Sequence, residues 1–234
     1  MKTIGLLGGM SWESSALYYS WINERIRHKL GGLHSARIAM VSVDFQEIED
    51  LQHKNKWKES GEILSKAASQ VEAAGADFLL ICTNTMHKVA PQIEEAINIP
   101  LLHIADATAE QIKGRGINTI GLLGTNFTME QDFYAGRLNE RYGLQVVIPP
   151  KEDREIVHQV IYKELVLGIV KEESRQKFLT IMNRLVDQGA EGVIEGCTEI
   201  VMLVQQEHTD IPLFDTTAIH AQKAVEMALD SKSK

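Results

Sequence analysis

The sequence predicts an α/β protein built from two similar halves, and three observations carry that expectation. Short apolar runs bounded by Gly, Asp or Pro alternate with longer segments of helical period. The runs are apolar throughout, as suits strands buried from both sides in a parallel sheet. Finally, the sequence repeats. Thr3-Ile4-Gly5-Leu6-Leu7-Gly8 returns as Thr119-Ile120-Gly121-Leu122-Leu123-Gly124. Ala74-Gly75-Ala76-Asp77 returns as Gln188-Gly189-Ala190-Glu191, and Ile99-Pro100-Leu101 as Ile211-Pro212-Leu213. Three matches in one order at a nearly constant offset indicate two α/β halves of about 110 residues each, a usual domain size.

In chain order the expected strands are Ile4–Leu7, Ile38–Val41, Phe78–Ile81 and Leu101-Leu102, then Ile120–Leu123, Val146–Ile148, Gly192–Ile194 and Pro212–Phe214. Between them the helical period predicts helices over Trp12–Leu30, Trp57–Ala74, Gln92–Ala96, Glu130–Tyr142 and Arg175–Gln188. This alternation is the mark of the α/β class. The expected domains are residues 1–102 with 215–234, and residues 103–214. Two related halves facing each other make a cleft, and pockets favour such interfaces.

Composition narrows the function. The chain has 234 residues, 44% apolar and 24% charged, which is ordinary for a globular protein with ample core and argues against disorder. Its net charge of −8 argues against a nucleic-acid binder, which needs a basic surface to displace counterions. An acidic small molecule remains compatible, because a pocket can differ in sign from the whole. Cys82 and Cys197 are too few for a disulfide framework. The apolar start ends at Gly8-Gly9 without a cleavage pattern, and no run is long enough to span a bilayer. The reading is a soluble cytoplasmic chain with no membrane partner.

The repeat also serves as a ruler. The offset that carries Ala74–Asp77 onto Gln188–Glu191 carries Thr83 onto Cys197 and Cys82 onto Gly196. Both motifs, Ile81-Cys82-Thr83-Asn84-Thr85 and Glu195-Gly196-Cys197-Thr198-Glu199, follow a short strand and precede a helix. Ligands of open parallel sheets bind at such strand ends. Asn84 and Thr85 on one side, and Thr198 on the other, can supply donors to a carboxylate. Adjacent strand residues point to opposite faces, so the repeat sets Thr83 opposite Cys197, and Cys82 in that place, after a one-residue shift, is the alternative. Cys82 reads as a small buried hydrophobe. Cys197, after a glycine and before a helix start, occupies a setting that can lower a thiol pKa from about 8.5.

These motifs resemble the aspartate/glutamate racemase family of cofactor-independent amino-acid racemases. The family has Cys-Asn-Thr after a strand in its first half and Gly-Cys-Thr-Glu in its second. Here the second is intact as Gly196-Cys197-Thr198-Glu199, while the first reads Thr83-Asn84-Thr85. Gly8-Gly9-Met10, Gly124-Thr125 with Thr128-Met129, Tyr162-Lys163-Glu164-Leu165 and Asp215-Thr216-Thr217 extend the resemblance over nearly the whole chain. The opening Gly8–Ser14 and the segment Val43-Asp44-Phe45 are most similar to a branch of bacterial aspartate/glutamate racemases.

The resemblance implies two pseudo-symmetric Rossmann-like domains with mostly parallel sheets and an active site in the cleft between them. It implies a homodimer, a small amino-acid substrate, no pyridoxal or other cofactor, and a two-base mechanism. Cys197 takes the family's role on the L face, and its partner for the opposite face falls on Thr83. An alkyl hydroxyl is a far poorer base than a thiol. The expectation is therefore a racemase of aspartate and glutamate that favours L-substrates. Met10, Gln52, Asn84, Thr85, Thr125, Thr128, Lys163 and Thr198 are the matching substrate-binding positions. Lys163 would pair with a carboxylate and support the Cys197 thiolate. A second departure is the segment Val43–Gln52, which lacks the family's substrate-binding arginine.

Other candidates read as structural. Glu199 suits a helix first turn, and His87 and His220 suit surface or capping roles. No His-x-x-x-His or Cys-x-x-Cys spacing points to a metal, and no Gly-x-Gly-x-x-Gly or phosphate loop points to a nucleotide. Lysines around Trp57 suit a solvated helix face. Two alternatives to a racemase stay open: a related isomerase or decarboxylase, and a small-molecule binding protein that has lost catalysis with its first cysteine.

Overall fold

Strand and helix alternate through the computed structural model, which describes residues 1–230. The chain begins β1 (Ile4–Gly8), α1 (Trp12–Leu30), β2 (Ile38–Ser42), α2 (Phe45–His53), α3 (Trp57–Ala73) and β3 (Phe78–Ile81). A 3-10 helix, Thr85–Val89, then leads into α4 (Ala90–Ala96) and α5 (Ile104–Gly114). Next come β4 (Thr119–Gly124), α6 (Asn126–Glu130), α7 (Asp132–Tyr142), β5 (Gln145–Val147), α8 (Lys151–Lys163) and α9 (Glu172–Asp187). The chain closes with β6 (Val193–Gly196), α10 (Ile200–Leu203), β7 (Leu213–Asp215) and α11 (Thr216–Leu229). It forms two compact units: Met1–Ile104 with the chain from Thr217 onward, and Ala105–Thr216. No helix of the described residues is long and apolar enough to cross a membrane.

The first unit holds a parallel sheet ordered β2-β1-β3. Alternate strand residues feed two cores. Ile4, Leu6, Phe78, Leu80 and Cys82 pack with Tyr18, Ile22 and Ile26 of α1 and Ala221, Ala224 and Val225 of α11. Leu7, Leu79 and Ile81 pack on the other face with Ile48 of α2, Leu64, Ala68 and Val71 of α3, and Ile93 of α4. Helix α1 spans the expected residues. Ser11 caps it by accepting from the Ser14 amide, and Arg27, His28 and Lys29 lie in its last turn where the dipole favours cations.

The second unit repeats that order as β5-β4-β6-β7, again fully parallel. One face carries Val157 and Ile161 of α8, Phe178, Ile181 and Leu185 of α9, and Ile200 and Leu203 of α10. The repeated strand glycine has a packing reason. A Cβ on Gly5 would stand 2.7 Å from Phe78 O and from Val71 Cγ1 of α3, and one on Gly121 would stand 2.9 Å from Leu185 Cδ1 of α9. The helix behind each central strand can approach only because the strand lacks a side chain there.

Several expected elements differ in their bounds, and three of the differences have a local cause. Leu101-Leu102 makes only one parallel bridge, Leu79 to Leu101, rather than a full strand. The ladder has only Leu79 N to Pro100 O and Leu102 N to Leu79 O, both 2.9 Å, before the carbonyl of Leu102 is taken by His220 Nε2 at 2.8 Å. The expected helix Glu130–Tyr142 divides into α6 and α7, because Gln131 is extended (φ −105°, ψ 143°). Helix α4 starts at Ala90 rather than Gln92, with Pro91 in its first turn, where its missing N–H costs nothing.

Candidate active site

Sheet register shows which residues stand at equivalent strand ends. In the first unit Leu7 pairs with Ile81, and the next amide, Cys82 N, donates to Leu7 O at 2.9 Å. In the second unit Gly124 pairs with Gly196. Gly8 and Gly124 are the same repeat position, so Cys82 corresponds to Gly196 and Thr83 to Cys197. Burial follows the same alternation: Cys82 and Gly196 are buried, whereas Thr83 and Cys197 are half-buried.

In the first unit the N-terminus of α1 clamps the strand ends. Ser14 Oγ donates to Cys82 O at 3.0 Å. Ser15 Oγ accepts from Gly9 N at 2.8 Å and donates to Ser11 O at 2.9 Å. The β1 loop and the Thr83 segment are thus held through one helix turn. Asn84 is buried and Thr85 half-buried where the 3-10 helix starts. Met10 lies in the same apolar cluster as Met86, and the buried Gln52 places Nε2 2.9 Å from Met86 Sδ. Met10, Gln52, Thr83, Asn84 and Thr85 are therefore tied to one region of the unit. Cys82 sits fully buried among Ile4, Leu6, Tyr18 and Phe78, and burial pushes its thiol far up. A thiol so placed is no base.

In the second unit the β4 loop lies against the β6 end. A Cβ on Gly196 would stand 3.2 Å from Thr128 Cγ2, and one on Gly124 would stand 3.1 Å from Thr128 Cβ and from Gly196 O. The glycine before Cys197 is therefore what lets the first turn of α6 come close. Thr125 occupies the N-cap position without a side-chain capping bond, and its Oγ1 is instead 3.4 Å from Thr128 Oγ1. Asn126 N donates to His158 Nδ1 of α8 at 3.4 Å.

The Cys197 thiol donates to Glu199 Oε2 at 2.9 Å. Its pKa lies well above the ordinary thiol range, first through burial and then through the charge and hydrogen bond of Glu199. The expected lowering by a helix start is overturned. Helix α10 is a single turn of four residues, too short for an effective dipole, and a carboxylate adjoins the sulfur. Lys163 ends α8 with an exposed side chain, and the Cys197 thiol is set by burial and by Glu199. Thr198 is half-buried beside the thiol in sequence. Among the described residues no three His, Cys, Asp or Glu side chains gather to hold a metal ion.

Two features escaped the sequence reading. His87 and His220 are not surface groups but 1% and 0% exposed, since backbone and Tyr18 partners satisfy their ring nitrogens. Glu195 is a buried carboxyl on β6, level with Leu123 of β4 and Asp215 of β7. Burial, then the nearby Asp215 charge, pushes it up to about 8. Its Oε1 finds no hydrogen-bond partner among the described residues. The available signal was a charge inside Val193-Ile194-Glu195-Gly196, at the repeat position of Ile81.

The profile of the family described as Asp/Glu/Hydantoin racemase matches residues 7–224. A candidate Asp/Glu racemase from Yersinia pestis is 54% identical over 98% of this chain and 100% of its own, with a TM-score of 0.94. An aspartate racemase homologue from Pyrococcus horikoshii is 35% identical over 98% and 100% of the two chains, with a TM-score of 0.87. A broad specificity amino-acid racemase from Bacillus subtilis is 22% identical over 98% of this chain and 100% of its own.

Proposed function

This chain belongs to the Asp/Glu/hydantoin racemase family, and we propose that it is an amino-acid racemase acting on aspartate and glutamate, with Cys197 as the base on the L enantiomer and Thr83 serving the opposite face. The observation that carries this reading is the equivalence of Thr83 and Cys197 at the ends of β3 and β6. Each is half-buried after a buried neighbour.

The chemistry requires two groups on opposite faces of one carbon. The Cys197 thiol first gives up its proton to solvent, against the charge and hydrogen bond of Glu199 that hold it on the sulfur. The thiolate then takes the α-proton of the L-substrate, and the electron pair is delocalised into the α-carboxylate. Asn84, Thr85 and Thr198 supply donors to that carboxylate as charge develops. The Thr83 hydroxyl delivers a proton to the other face and recovers one from solvent. Starting from the D enantiomer, Thr83 would have to abstract the proton, for which an alcohol is poorly suited. Met10, Gln52, Thr125 and Thr128 border the substrate, and Lys163 meets the distal carboxylate.

The raised thiol favours a second reading, a small-molecule binding protein without turnover. A racemisation assay over L-aspartate, L-glutamate and neutral L-amino acids separates the two. The expected result is loss of optical rotation for the acidic pair, with kcat/KM about tenfold or more above alanine and leucine. Turnover of neutral substrates at equal efficiency would overturn the acidic specificity, and ligand binding without turnover would establish the second reading.

A further inference from the structure

Behind Thr83 lies a buried histidine network that the reaction itself does not use. His87 Nδ1 is 2.8 Å from the carbonyl of Thr83, and the amide of Ile104 donates to His87 Nε2 at 3.2 Å. A carbonyl can only accept and an amide can only donate, so His87 is the neutral tautomer with its proton on Nδ1. Protonating Nε2 would set one N–H against another. The ring lies against His103, with centroids 4.4 Å apart, and 6.0 Å from His220. His220 holds the opposite tautomer, its Nε2 donating to Leu102 O at 2.8 Å and its Nδ1 accepting from the Tyr18 hydroxyl at 2.8 Å. The two imidazoles thus tie the Thr83 segment to the Leu102–Ile104 chain.

The second unit shows what this arrangement replaces. There the first turn begins at Cys197 itself, whose carbonyl accepts from Ile200 N at 3.1 Å. In the first unit the turn begins one residue later, with His87 N donating to Asn84 O at 3.1 Å. The Thr83 carbonyl is therefore left outside the turn, and the imidazole takes it. The repeat position of His87 is Val201, which has no side-chain donor.

We propose that His87 is a positioning residue, which holds Thr83 at the end of β3 by donating from Nδ1 to its carbonyl while Nε2 anchors on Ile104. This rests on the proposed role of Thr83. Two substitutions divide the bonds. His87→Asn can keep a donor near the Nδ1 position and loses the acceptor for Ile104. His87→Gln can keep an acceptor near the Nε2 position and loses the donor to Thr83.

The experiment measures kcat and KM for α-proton exchange from L-aspartate, thermal midpoints, and the Thr83 methyl signal in carbon-13 NMR for the full chain and both variants. His87→Gln is expected to lower kcat about tenfold or more with little change in KM and to shift the Thr83 methyl. His87→Asn is expected to retain most of kcat and the parental methyl position, although both variants lose stability. Equal kcat losses that follow the thermal midpoints, or a Thr83 methyl unmoved in His87→Gln, would overturn the positioning role. If the parent chain exchanges no α-proton, the proposed function fails, and the methyl signal still decides whether His87 places Thr83.

Discussion

Cys197→Ala is expected to lower kcat for α-proton exchange from L-aspartate by about 10³-fold, because a positioned general base contributes on the order of 10² to 10⁴. Alanine removes the base and little that holds the fold, since the residue packs only at the margin of the core and its hydrogen bond is to the nearby Glu199. Substrate affinity should therefore survive. The parent enzyme should also show a pH signature. Burial and Glu199 keep the thiol protonated through neutral pH. Exchange from the L face should then climb about tenfold per pH unit while the thiolate is the minor form. Stopped assays across pH 6 to 9 read both effects. A Cys197→Ala variant keeping more than a tenth of parental kcat would remove Cys197 from the chemistry.

Glu195→Leu is expected to stabilise the protein, and more so as pH rises. The native carboxyl is pushed up from 4.5 to about 8, by burial first and by Asp215 second. Between those values the folded chain holds a proton that the unfolded chain has released. Stability from this group is thus complete below about pH 4.5 and is lost as pH rises toward 8, at about 1.4 kcal/mol per unit. The cumulative cost by pH 8 is roughly 4 kcal/mol. Leucine, like Ile81 at the repeat position, carries no such penalty. Urea unfolding at pH 5 and pH 8 should show the variant gaining several kcal/mol on the parent between the two. Glu195→Gln should flatten the slope without the apolar gain. Parallel pH curves for parent and leucine variant would show that Glu195 does not titrate in this way.

Much of the fold was legible because its determinants are local and repeated. The Ile-Gly-Leu-Leu-Gly motif marks a central strand crowded by a helix, and it does so twice. The repeat also aligned Thr83 with Cys197, the equivalence that register displays. What escaped depends on partners distant in sequence. Tyr18 and His220 are separated by 202 positions, so neither could announce a buried hydrogen bond. His87 needs Ile104 to fix its tautomer, and Glu195 needs Asp215 and the surrounding core to raise its pKa. The thiol was misread for a related reason. The motif shows a strand end before a helix, but not that the helix is one turn long or that Glu199 bends back to the sulfur. The break at Gln131 turns on one residue's backbone angles, which a helical period does not record.

The central claim is that one thiol serves the L face and one alcohol the other. Deuterium incorporation at the α-carbon from D2O, followed by proton NMR separately from L- and D-aspartate at matched concentrations, tests it most directly. The account predicts rapid exchange of the L enantiomer and exchange of the D enantiomer slower by about 10²-fold or more. Equal exchange from the two enantiomers would contradict it.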